Sequence, residues 1–248
     1  MQQRSLAAGP PPVIDPTRAS LFLDFDGTLV ELVDCPESVA VDAGLRALLE
    51  RLATKLGQRI AVVSGRSLAQ LDHFLEPMGN AMALVGSHGA EVRMAGSQVI
   101  APDAPEVLRE AAQLFAEAFA GNDRILIETK TLGVAIHYRL DQSQEPAAVR
   151  LASDFASKHA LELQEGKMMV EVRVAGHDKG SGIAALMNVA PFAGSTPIFL
   201  GDDLTDEPGF RRCIELGGSG IMVGPARPTA AQYRLPDVTA VRDWLTAL

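Results

Sequence analysis

Short apolar runs alternate with helical segments along most of this sequence, and no other feature restricts its possible folds as strongly. Residues 21–25, Ile60–Val63 and 83–85 each form an apolar run with the length of a buried strand. Apolar residues recur at helical spacing in the segments between them, 42–56 and 68–75. Alternating strands and helices predict an α/β fold built on a doubly wound, mostly parallel sheet.

The middle of the sequence follows a different pattern. A helical segment at 105–120 precedes two runs in which apolar and polar residues alternate, as in antiparallel strands with one face toward water. A second helical segment, Glu145–His159, and a second pair of alternating runs repeat this order. The first pattern then returns, with a helix at Lys179–Met187 and a buried strand at 197–200. We therefore expect an α/β domain interrupted by a small α+β insert.

Three parts of the chain follow from these patterns. Residues 1–18 contain three consecutive prolines and few apolar residues in a row, so we expect a flexible N-terminal arm there. Residues 19–102 and 176–248 form the α/β core, and residues 103–175 form the α+β insert. These boundaries carry an uncertainty of a few residues, because periodicity marks element ends poorly.

Composition excludes several classes of protein. The chain has 248 residues, 47% of them apolar, and a formal net charge of −9. The acidic balance argues against nucleic-acid binding through phosphate contacts, and no apolar run has the length needed to cross a membrane. Two cysteines without a Cys-x-x-Cys pair, and an N-terminus without the apolar run of a signal peptide, favour a reducing compartment. We expect a cytoplasmic monomer with no nucleic-acid or membrane partner.

Polar residues that could take part in catalysis or ligand binding follow the ends of the predicted buried strands. In an open parallel sheet these ends meet at one edge, where ligands bind. In chain order these residues, with a lysine that opens the helix before the last strand, are Asp24, Asp26, Ser64, Lys179, Asp202 and Asp206. Any one of the carboxylates or the serine could be a turn residue or a helix cap. Together they favour a site, and the converging carboxylates favour a hard divalent cation such as Mg²⁺.

The same residues resemble the motifs of the haloacid dehalogenase (HAD) superfamily. The residues that carry the resemblance are Asp-Phe-Asp-Gly-Thr at 24–28, a serine at a strand end, a single lysine, and Gly-Asp-Asp-Leu-Thr-Asp at 201–206. The resemblance implies a Rossmann-like core with an inserted cap. It also implies that Asp24 is a nucleophile forming an aspartyl phosphate and that Asp26 is the general acid and base.

The resemblance to this superfamily also assigns phosphate and metal ligands. Ser64 and Lys179 would hold the phosphoryl oxygens. Mg²⁺ would be bound by Asp24, Asp202 and the backbone carbonyl of Asp26, and Asp206 would ligate the ion or order its waters. The ion and Lys179 would then supply the local positive field that the net charge of the chain does not.

Further segments resemble trehalose-6-phosphate phosphatases in particular. They are Gly-Ser-His-Gly-Ala-Glu at 86–91, Glu-Thr-Lys at 128–130, His-Tyr-Arg at 137–139 and the stretch 171–180. The family's Glu-x-Arg-Pro pattern has Val174 in the proline position here, with its charged pair intact. The resemblance implies four sugar-binding residues in the insert, which are Glu128, Lys130, Lys167 and Glu171.

The residues by themselves leave a second interpretation of these four charges. Glu128 and Lys130 are two apart on a predicted strand and share a face, and Lys167 and Glu171, four apart, also share one. Carboxylates and ammonium groups on a wet sheet face can bind sugar hydroxyls, or they can pair with each other across strands. The family resemblance favours sugar binding.

Four more residues have two possible roles each. Arg66 follows the serine loop and could hold phosphate or sugar, or pair with a core carboxylate, and we favour substrate. His88 could contact substrate or cap a loop, and we include it among the candidate substrate contacts. His137 and Arg139 share a strand face and could line a cleft or brace the insert, and we favour bracing.

These observations predict a Mg²⁺-dependent phosphatase that acts on a small phosphorylated disaccharide, trehalose 6-phosphate. Three alternatives stay open. The first is a phosphatase of the same architecture acting on sucrose phosphate or mannosyl phosphoglycerate. The second is a phosphosugar mutase. The third is a phosphosugar-binding regulator without catalysis, against which the intact pair Asp24 and Asp26 argues.

Overall fold

The computed structural model describes residues 11–33, 38–100, 105–166 and 168–248. Chain contacts divide the protein into two compact units, Met1–Ala101 with Asp178–Leu248, and Pro102–His177. We call them the core and the insert. The core has two apolar clusters and the insert has one.

The core contains a seven-stranded sheet with helices on both faces, as the alternating pattern predicted. Its strands lie in the order β11-β10-β9-β1-β2-β3-β4, and all pair in parallel except β4, which runs antiparallel to β3. The elements of the core are β1 Ala19–Leu23, α1 Ala43–Lys55, β2 Ile60–Val63, α2 Leu68–Leu75, β3 Ala83–Gly86, β4 Glu91–Arg93, α5 Lys179–Met187, β9 Thr196–Gly201, α6 Glu207–Glu215, β10 Ser219–Val223, β11 Tyr233–Leu235 and α7 Val238–Thr246.

The centre of the core sheet is apolar on both faces, which is why its strands have no polar alternation. Every residue of β1 and β2 is buried. Leu21 and Leu23 belong to one apolar cluster, and Phe22 between them belongs to the cluster on the opposite face. The parallel pairing of β1 with both β2 and β9 brings the carboxyl ends of these three strands to one edge of the sheet.

The insert is one four-stranded antiparallel sheet covered by two helices, where the sequence predicted two separate strand pairs. Its strand order, β5-β6-β8-β7, places β6 against β8 and so joins the pairs. The apolar face of the sheet packs on both helices through a single cluster. The elements are α3 Glu106–Ala118, β5 Leu126–Thr129, β6 Gly133–His137, α4 Glu145–His159, β7 Glu162–Gly166 and β8 Met169–Arg173.

Part of the segment that was predicted to be a flexible N-terminal arm packs against the core. Residues 1–10 lie outside the described part of the chain. Ile14 is buried in the core, and the Arg59 guanidinium donates to the carbonyl oxygens of Pro16 and Ala19 at 2.8 and 3.0 Å. Residues 14–18 are therefore packed against the core, because one apolar side chain and one arginine hold them there. None of the helices in the described ranges has the length and apolar character of a membrane span.

Candidate active site at the carboxyl edge of the core sheet

Asp24 leaves the sheet in a tight loop at the end of β1. Its backbone N–H donates to the Leu200 carbonyl of β9 at 2.9 Å, so the ladder of the sheet holds it. Phe25 turns into the apolar core, and Gly27 has a φ of 81°, which reverses the chain. The Asp24 side chain is nearly inaccessible to water. The loop therefore presents a buried carboxylate at the edge of the sheet.

Lys179 places its ammonium group between the carboxylates of Asp24 and Asp206. Asp178 caps the N-terminus of α5 by accepting the Ser181 N–H at 2.7 Å, which makes Lys179 the first residue of the helix. Its Nζ lies 2.6 Å from Oδ1 of Asp24 and 2.5 Å from Oδ1 of Asp206. Burial by itself lowers the pKa of Lys179, but the carboxylates of Asp206 and Asp24 outweigh burial and raise it. Lys179 is therefore charged at neutral pH.

Asp206 is held by the protein through both of its carboxylate oxygens. One accepts from Lys179, and the other, Oδ2, accepts the backbone N–H of Asp203 at 2.9 Å. A Cβ at Gly201 would lie 2.4 Å from the Asp206 Cγ, so the close approach requires glycine. Asp206 is fully buried. With both oxygens held in this way, the Asp206 carboxylate is placed either to bind an ion or to orient the water molecules around it, the two roles that the motif implied.

Three carboxylates come together here. Ligand oxygens of Asp24, Asp202 and Asp206 all lie within 4.8 Å of one another, in the part of the chain that the structure describes. Burial raises the pKa of Asp24 well above its usual range, against the opposing charge of Lys179. Burial, and next the charge of Asp206, raises the pKa of Asp202 to about 6. Three carboxylates face a single ammonium group here, so the cluster also carries an excess of negative charge.

This donor set fits a hard divalent cation. Such a cation prefers oxygen ligands and would offset the excess negative charge. The Asp202 carboxylate also lies against the backbone of the Asp24 loop, since a Cβ at Gly27 would be 2.2 Å from its Oδ2. The backbone of Gly27, the residue after Asp26, therefore borders the cluster, and the Asp26 carbonyl stays a predicted ligand.

The Asp26 side chain does not join the acidic cluster, and it pairs with Arg66 instead. The guanidinium Nε and Nη2 donate to the two carboxylate oxygens of Asp26 at 2.6 and 2.7 Å. The same group lies 4.7 Å from the centre of the Phe74 ring. The structure shows the pairing of Arg66 with a core carboxylate, and a contact of Arg66 with substrate stays a prediction. The side chains that lie together are Asp24, Asp202 and Asp206, the three predicted to bind the ion or order its waters.

Ser64 and His88 lie at the same edge, after β2 and β3. The Ser64 Oγ accepts the backbone N–H of Arg66 at 3.1 Å, and the Ser64 carbonyl accepts the N–H of His88 at 3.0 Å. A Cβ at Gly65 would be 2.5 Å from the His88 ring, so the imidazole lies over the loop that carries Ser64. Asp24, Asp26, Ser64, Arg66 and His88 therefore follow three adjacent strands at one edge.

The insert carries its charged residues on one face of its sheet, as predicted for Glu128 and Lys130. Glu128, Ala135 and Glu171 lie side by side across β5, β6 and β8. Lys130 Nζ is 2.6 Å from Glu171 Oε2, and His137 Nε2 is 2.8 Å from Glu128 Oε2. The cross-strand ion pairs that competed with sugar binding are therefore present, and His137 braces Glu128. Lys167 lies outside the described residues.

Sequence patterns did not reveal two residues that support the edge. Glu91 is buried and accepts the Leu68 N–H at 2.7 Å, which holds the start of α2 beside the Ser64 loop. It lies in a motif quoted for the family, and that motif is the only signal for it. Arg227 donates to the carbonyl of Asp203 at 2.7 Å, and nothing local in its sequence indicates this contact.

Comparison with known proteins supports these assignments at the level of the family. The family model described as trehalose-phosphatase matches residues 22–239. A Sinorhizobium fredii protein named "Probable trehalose-phosphate phosphatase" is 40% identical over 239 residues, covering 92% of this chain and 87% of its own length. The trehalose-6-phosphate phosphatase of Escherichia coli is 38% identical, with 90% and 84% covered.

Solved structures agree with the fold. The crystal structure of a trehalose-6-phosphate phosphatase related protein superposes with a TM-score of 0.74 at 28% identity, covering 92% of this chain and 95% of that one. The C-terminal domain of the Candida albicans trehalose-6-phosphate phosphatase has the same fold, with a TM-score of 0.79 at 23% identity over 93% and 92% of the two chains. With the carboxylates and the lysine of all four motifs at one edge of a doubly wound sheet, this chain belongs to the trehalose-phosphatase family of phosphoric monoester hydrolases, within the HAD superfamily.

Proposed function

We propose that this protein hydrolyses trehalose 6-phosphate to trehalose and inorganic phosphate, with Mg²⁺ bound and Asp24 as the nucleophile. The observation that carries the proposal is the contact of Lys179 with Asp24 and Asp206 inside a cluster of three carboxylates, of which these two are buried and Asp202 is half-buried. A lysine and a divalent cation at this place supply the positive field that a phosphate dianion needs in an acidic protein. Membership of the trehalose-phosphatase family supports the choice of sugar.

The first half of the reaction transfers the phosphoryl group to Asp24. A carboxylate oxygen of Asp24 attacks phosphorus, the bond from phosphorus to the sugar oxygen breaks, and that oxygen takes a proton from the carboxyl group of Asp26. Asp26 follows Asp24 by two residues, so both side chains leave the loop at the edge of the sheet. The Arg66 fork holds Asp26 in one orientation, and it must loosen when Asp26 carries the proton that it donates.

The second half returns Asp24 to its starting state. Asp26, now a carboxylate, accepts a proton from a water molecule whose oxygen attacks phosphorus. The bond between phosphorus and Asp24 breaks, and inorganic phosphate leaves. Each proton that Asp26 gives in the first half is replaced in the second, so the enzyme is unchanged at the end of the cycle.

The remaining edge residues hold charge and position. Ser64 and Lys179 bind phosphoryl oxygens, and Asp24, Asp202 and the Asp26 carbonyl hold Mg²⁺, with Asp206 beside them. When bound, the ion neutralises charge on the phosphoryl oxygens and keeps Asp24 ionised. Lys179 keeps its contact with Asp206, and its positive charge also attracts the phosphoryl group of the substrate.

The insert supplies the sugar contacts in this proposal. Glu128, Lys130 and Glu171 present charged atoms on one sheet face. There Lys130 and Glu171 would exchange their ion pair, and Glu128 its contact with His137, for sugar hydroxyls. Lys167 stays a prediction of the same kind, as do direct contacts of Arg66 and His88 with substrate. The cytoplasmic location and the monomeric state also stay predictions.

Phosphate release from a panel of sugar phosphates tests the proposal. Trehalose 6-phosphate, sucrose phosphate, mannosyl phosphoglycerate and glucose 6-phosphate are compared with Mg²⁺ and with excess chelator. Trehalose 6-phosphate should be the best substrate, and chelator should stop its hydrolysis. Asp24→Asn should lose activity by orders of magnitude while its circular dichroism spectrum stays unchanged, because an amide cannot attack phosphorus. Full activity in chelator, or a tenth of normal activity in Asp24→Asn, contradicts the mechanism.

A further inference from the structure

We propose that Arg227 is a positioning residue for the acidic loop, residues 202–206, and that it raises the affinity of the core for its divalent cation. The inference rests on the proposed metal role of this loop. Arg227 lies in the segment between β10 and β11, more than twenty residues from the loop in sequence. It does not belong to any of the motifs that carry the family resemblance.

The contacts of Arg227 connect the acidic loop, the start of α6 and the segment that contains Arg227 itself. Nη2 donates to the carbonyl of Asp203 at 2.7 Å and approaches the carbonyl of Asp202 at 3.5 Å. Nη1 lies 2.6 Å from Oε1 of Glu207, the first residue of α6, and 3.1 Å from the Pro228 carbonyl. Glu207 in turn accepts the Ala230 N–H at 2.8 Å through its other oxygen. The arginine therefore ties its own segment to both ends of the acidic loop.

These contacts act on the orientation of two carboxylates. The peptide group between Asp202 and Asp203, whose carbonyl oxygen Arg227 approaches at 3.5 Å, also presents the Asp203 N–H that donates to Oδ2 of Asp206. The shorter bond to the Asp203 carbonyl holds the next peptide group, so Arg227 holds the backbone on both sides of Asp203. The Asp202 side chain, which lies against Gly27, leaves this same stretch of backbone. Three carboxylates that repel each other need a fixed backbone if they are to stay close before the cation arrives. A loop held in place loses less entropy on binding, so the affinity is higher.

Burial makes this arrangement stiffer than an ordinary surface ion pair. The Arg227 and Glu207 side chains are 22% and 13% exposed, and the guanidinium donates to carboxylate and carbonyl oxygens together. Partly buried charge pairs are screened less by salt than exposed ones. Groups that orient metal ligands without touching the metal commonly change metal affinity by about 10- to 100-fold when removed.

Arg234 offers a matched control. It is another arginine that closes the same segment, and its Nη1 donates to a backbone carbonyl, that of Gly224, at 3.0 Å. That carbonyl does not belong to the acidic loop. Arg234→Ala therefore removes an arginine-to-carbonyl bond from the same region without releasing Asp202 or Asp206.

The experiment titrates Mg²⁺ into chelator-treated full-length protein and follows its melting temperature and its heat of binding. Arg227→Ala should weaken Mg²⁺ binding by about tenfold or more, Arg227→Lys should recover part of the loss, and Arg234→Ala should match the unchanged protein. The Mg²⁺ concentration for half-maximal phosphate release should rise in parallel in Arg227→Ala, while kcat at saturating Mg²⁺ stays within about twofold.

Other outcomes have definite meanings. If Arg227→Ala lowers the melting temperature of the metal-free protein but binds Mg²⁺ as tightly as before, Arg227 has only a structural role and the inference is wrong. If Arg227→Ala does not fold, Glu207→Gln, which keeps the shape and weakens the hold on Arg227, must weaken Mg²⁺ binding in the same direction. If the unchanged protein does not bind Mg²⁺, the metal assignment itself fails.

Discussion

Lys179 keeps a charged ammonium group where almost no water reaches it. Transfer of such a group from water costs several kcal/mol, and it is tolerated because two carboxylates accept from it within 2.6 Å. The same contacts leave Asp202 without a cationic partner of comparable closeness in the described core. At the level of single residues, the site carries more negative charge than its one ammonium group offsets, so it is incomplete without a cation.

Gly27 makes a residue-scale prediction with a control inside the chain. Gly27→Ala should cost about 1–3 kcal/mol of backbone strain at its φ of 81°. The new Cβ would also lie 2.2 Å from Asp202 Oδ2, so it should push the carboxylate away and raise the Mg²⁺ concentration for half-maximal activity about tenfold or more. Gly96→Ala has similar strain at a φ of 66° with no atom within 4 Å of its Cβ, so only stability should fall. Equal Mg²⁺ dependence in the two variants would contradict the packing argument.

On the polar face of the insert sheet, the central strand β6 carries small residues and the strands beside it carry longer side chains. On β6 this face carries Gly133 and Ala135, and the neighbouring strands carry Glu128, Lys130 and Glu171. A Cβ at Gly133 would be 2.3 Å from Glu171 Oε1, so the glycine makes room for that carboxylate. The small residues of β6 therefore leave room for the charged side chains of the neighbouring strands, of which Lys130 and Glu171 are nearly buried.

This arrangement predicts that the insert sets substrate preference without doing chemistry. Glu128→Ala, Lys130→Ala and Glu171→Ala should each lower kcat/KM for trehalose 6-phosphate by about 1.5–3 kcal/mol, or roughly ten- to a hundred-fold. Hydrolysis of p-nitrophenyl phosphate, which has no sugar, should hardly change. Arg173→Ala, which removes the outer pair with Glu162 on the same sheet, is the matched control. Parallel losses on both substrates would mean that the three residues serve folding.

The buried pair of Lys130 and Glu171 also predicts a stability effect. Their side chains are 10% and 4% exposed, so Lys130→Met leaves a buried carboxylate without its cation and should cost about 3–5 kcal/mol in urea unfolding. The double variant Lys130→Met/Glu171→Leu should regain most of that stability while activity on trehalose 6-phosphate stays low. Glu162→Gln, which breaks a more exposed pair, should cost less than about 1 kcal/mol. A double variant as unstable as the single one would contradict this account.

At the scale of the whole molecule, a net charge of −9 repels the anionic substrate that we propose. The positive field at the carboxyl edge must therefore come from a few groups, Lys179 and the bound cation among them. Activity should therefore depend on how much cation is bound. The cation and protons compete for the same carboxylates.

That competition predicts a pH dependence with a definite sign. The pKa of Asp202 is about 6 in the folded metal-free protein, above the ordinary aspartate value near 3.9. A raised carboxyl pKa means that the folded state binds the proton more tightly than the unfolded state. Stability from this group is therefore present below about pH 4 and is lost as pH rises through 6. Mg²⁺, which replaces the proton, should stabilise the protein more at pH 8 than at pH 5.

The measurement is the difference in melting temperature with Mg²⁺ and with chelator at each pH, which cancels groups far from the site. Asp202→Asn should reduce this difference and flatten its pH dependence. A Mg²⁺-induced shift that is equal at pH 5 and pH 8 would show that the carboxylates of the cluster do not hold the ion.

Local information in the sequence determined most elements and the chemistry at the strand ends. β2, α2, α4 and α5 have the predicted bounds, since hydrophobic period and caps are properties of neighbouring residues. The edge strand β4, the strand β11 and helix α7 were missed. β4 and β11 are three residues long, and their pairing partners, rather than their own pattern, make them strands.

Only the tertiary structure decided which charged groups meet. Lys179 reaches Asp24 across 155 positions, Arg66 pairs with Asp26 across 40, and Lys130 meets Glu171 across 41. Strand order and register set these contacts, and they depend on how the whole core packs. The sequence by itself determined that acids and a serine stand at the ends of buried strands and that a lysine begins a helix. Folding decided that Asp26 faces an arginine and that Asp24 and Asp206 share one lysine, because such partners lie far apart in sequence and become neighbours only when the sheet forms.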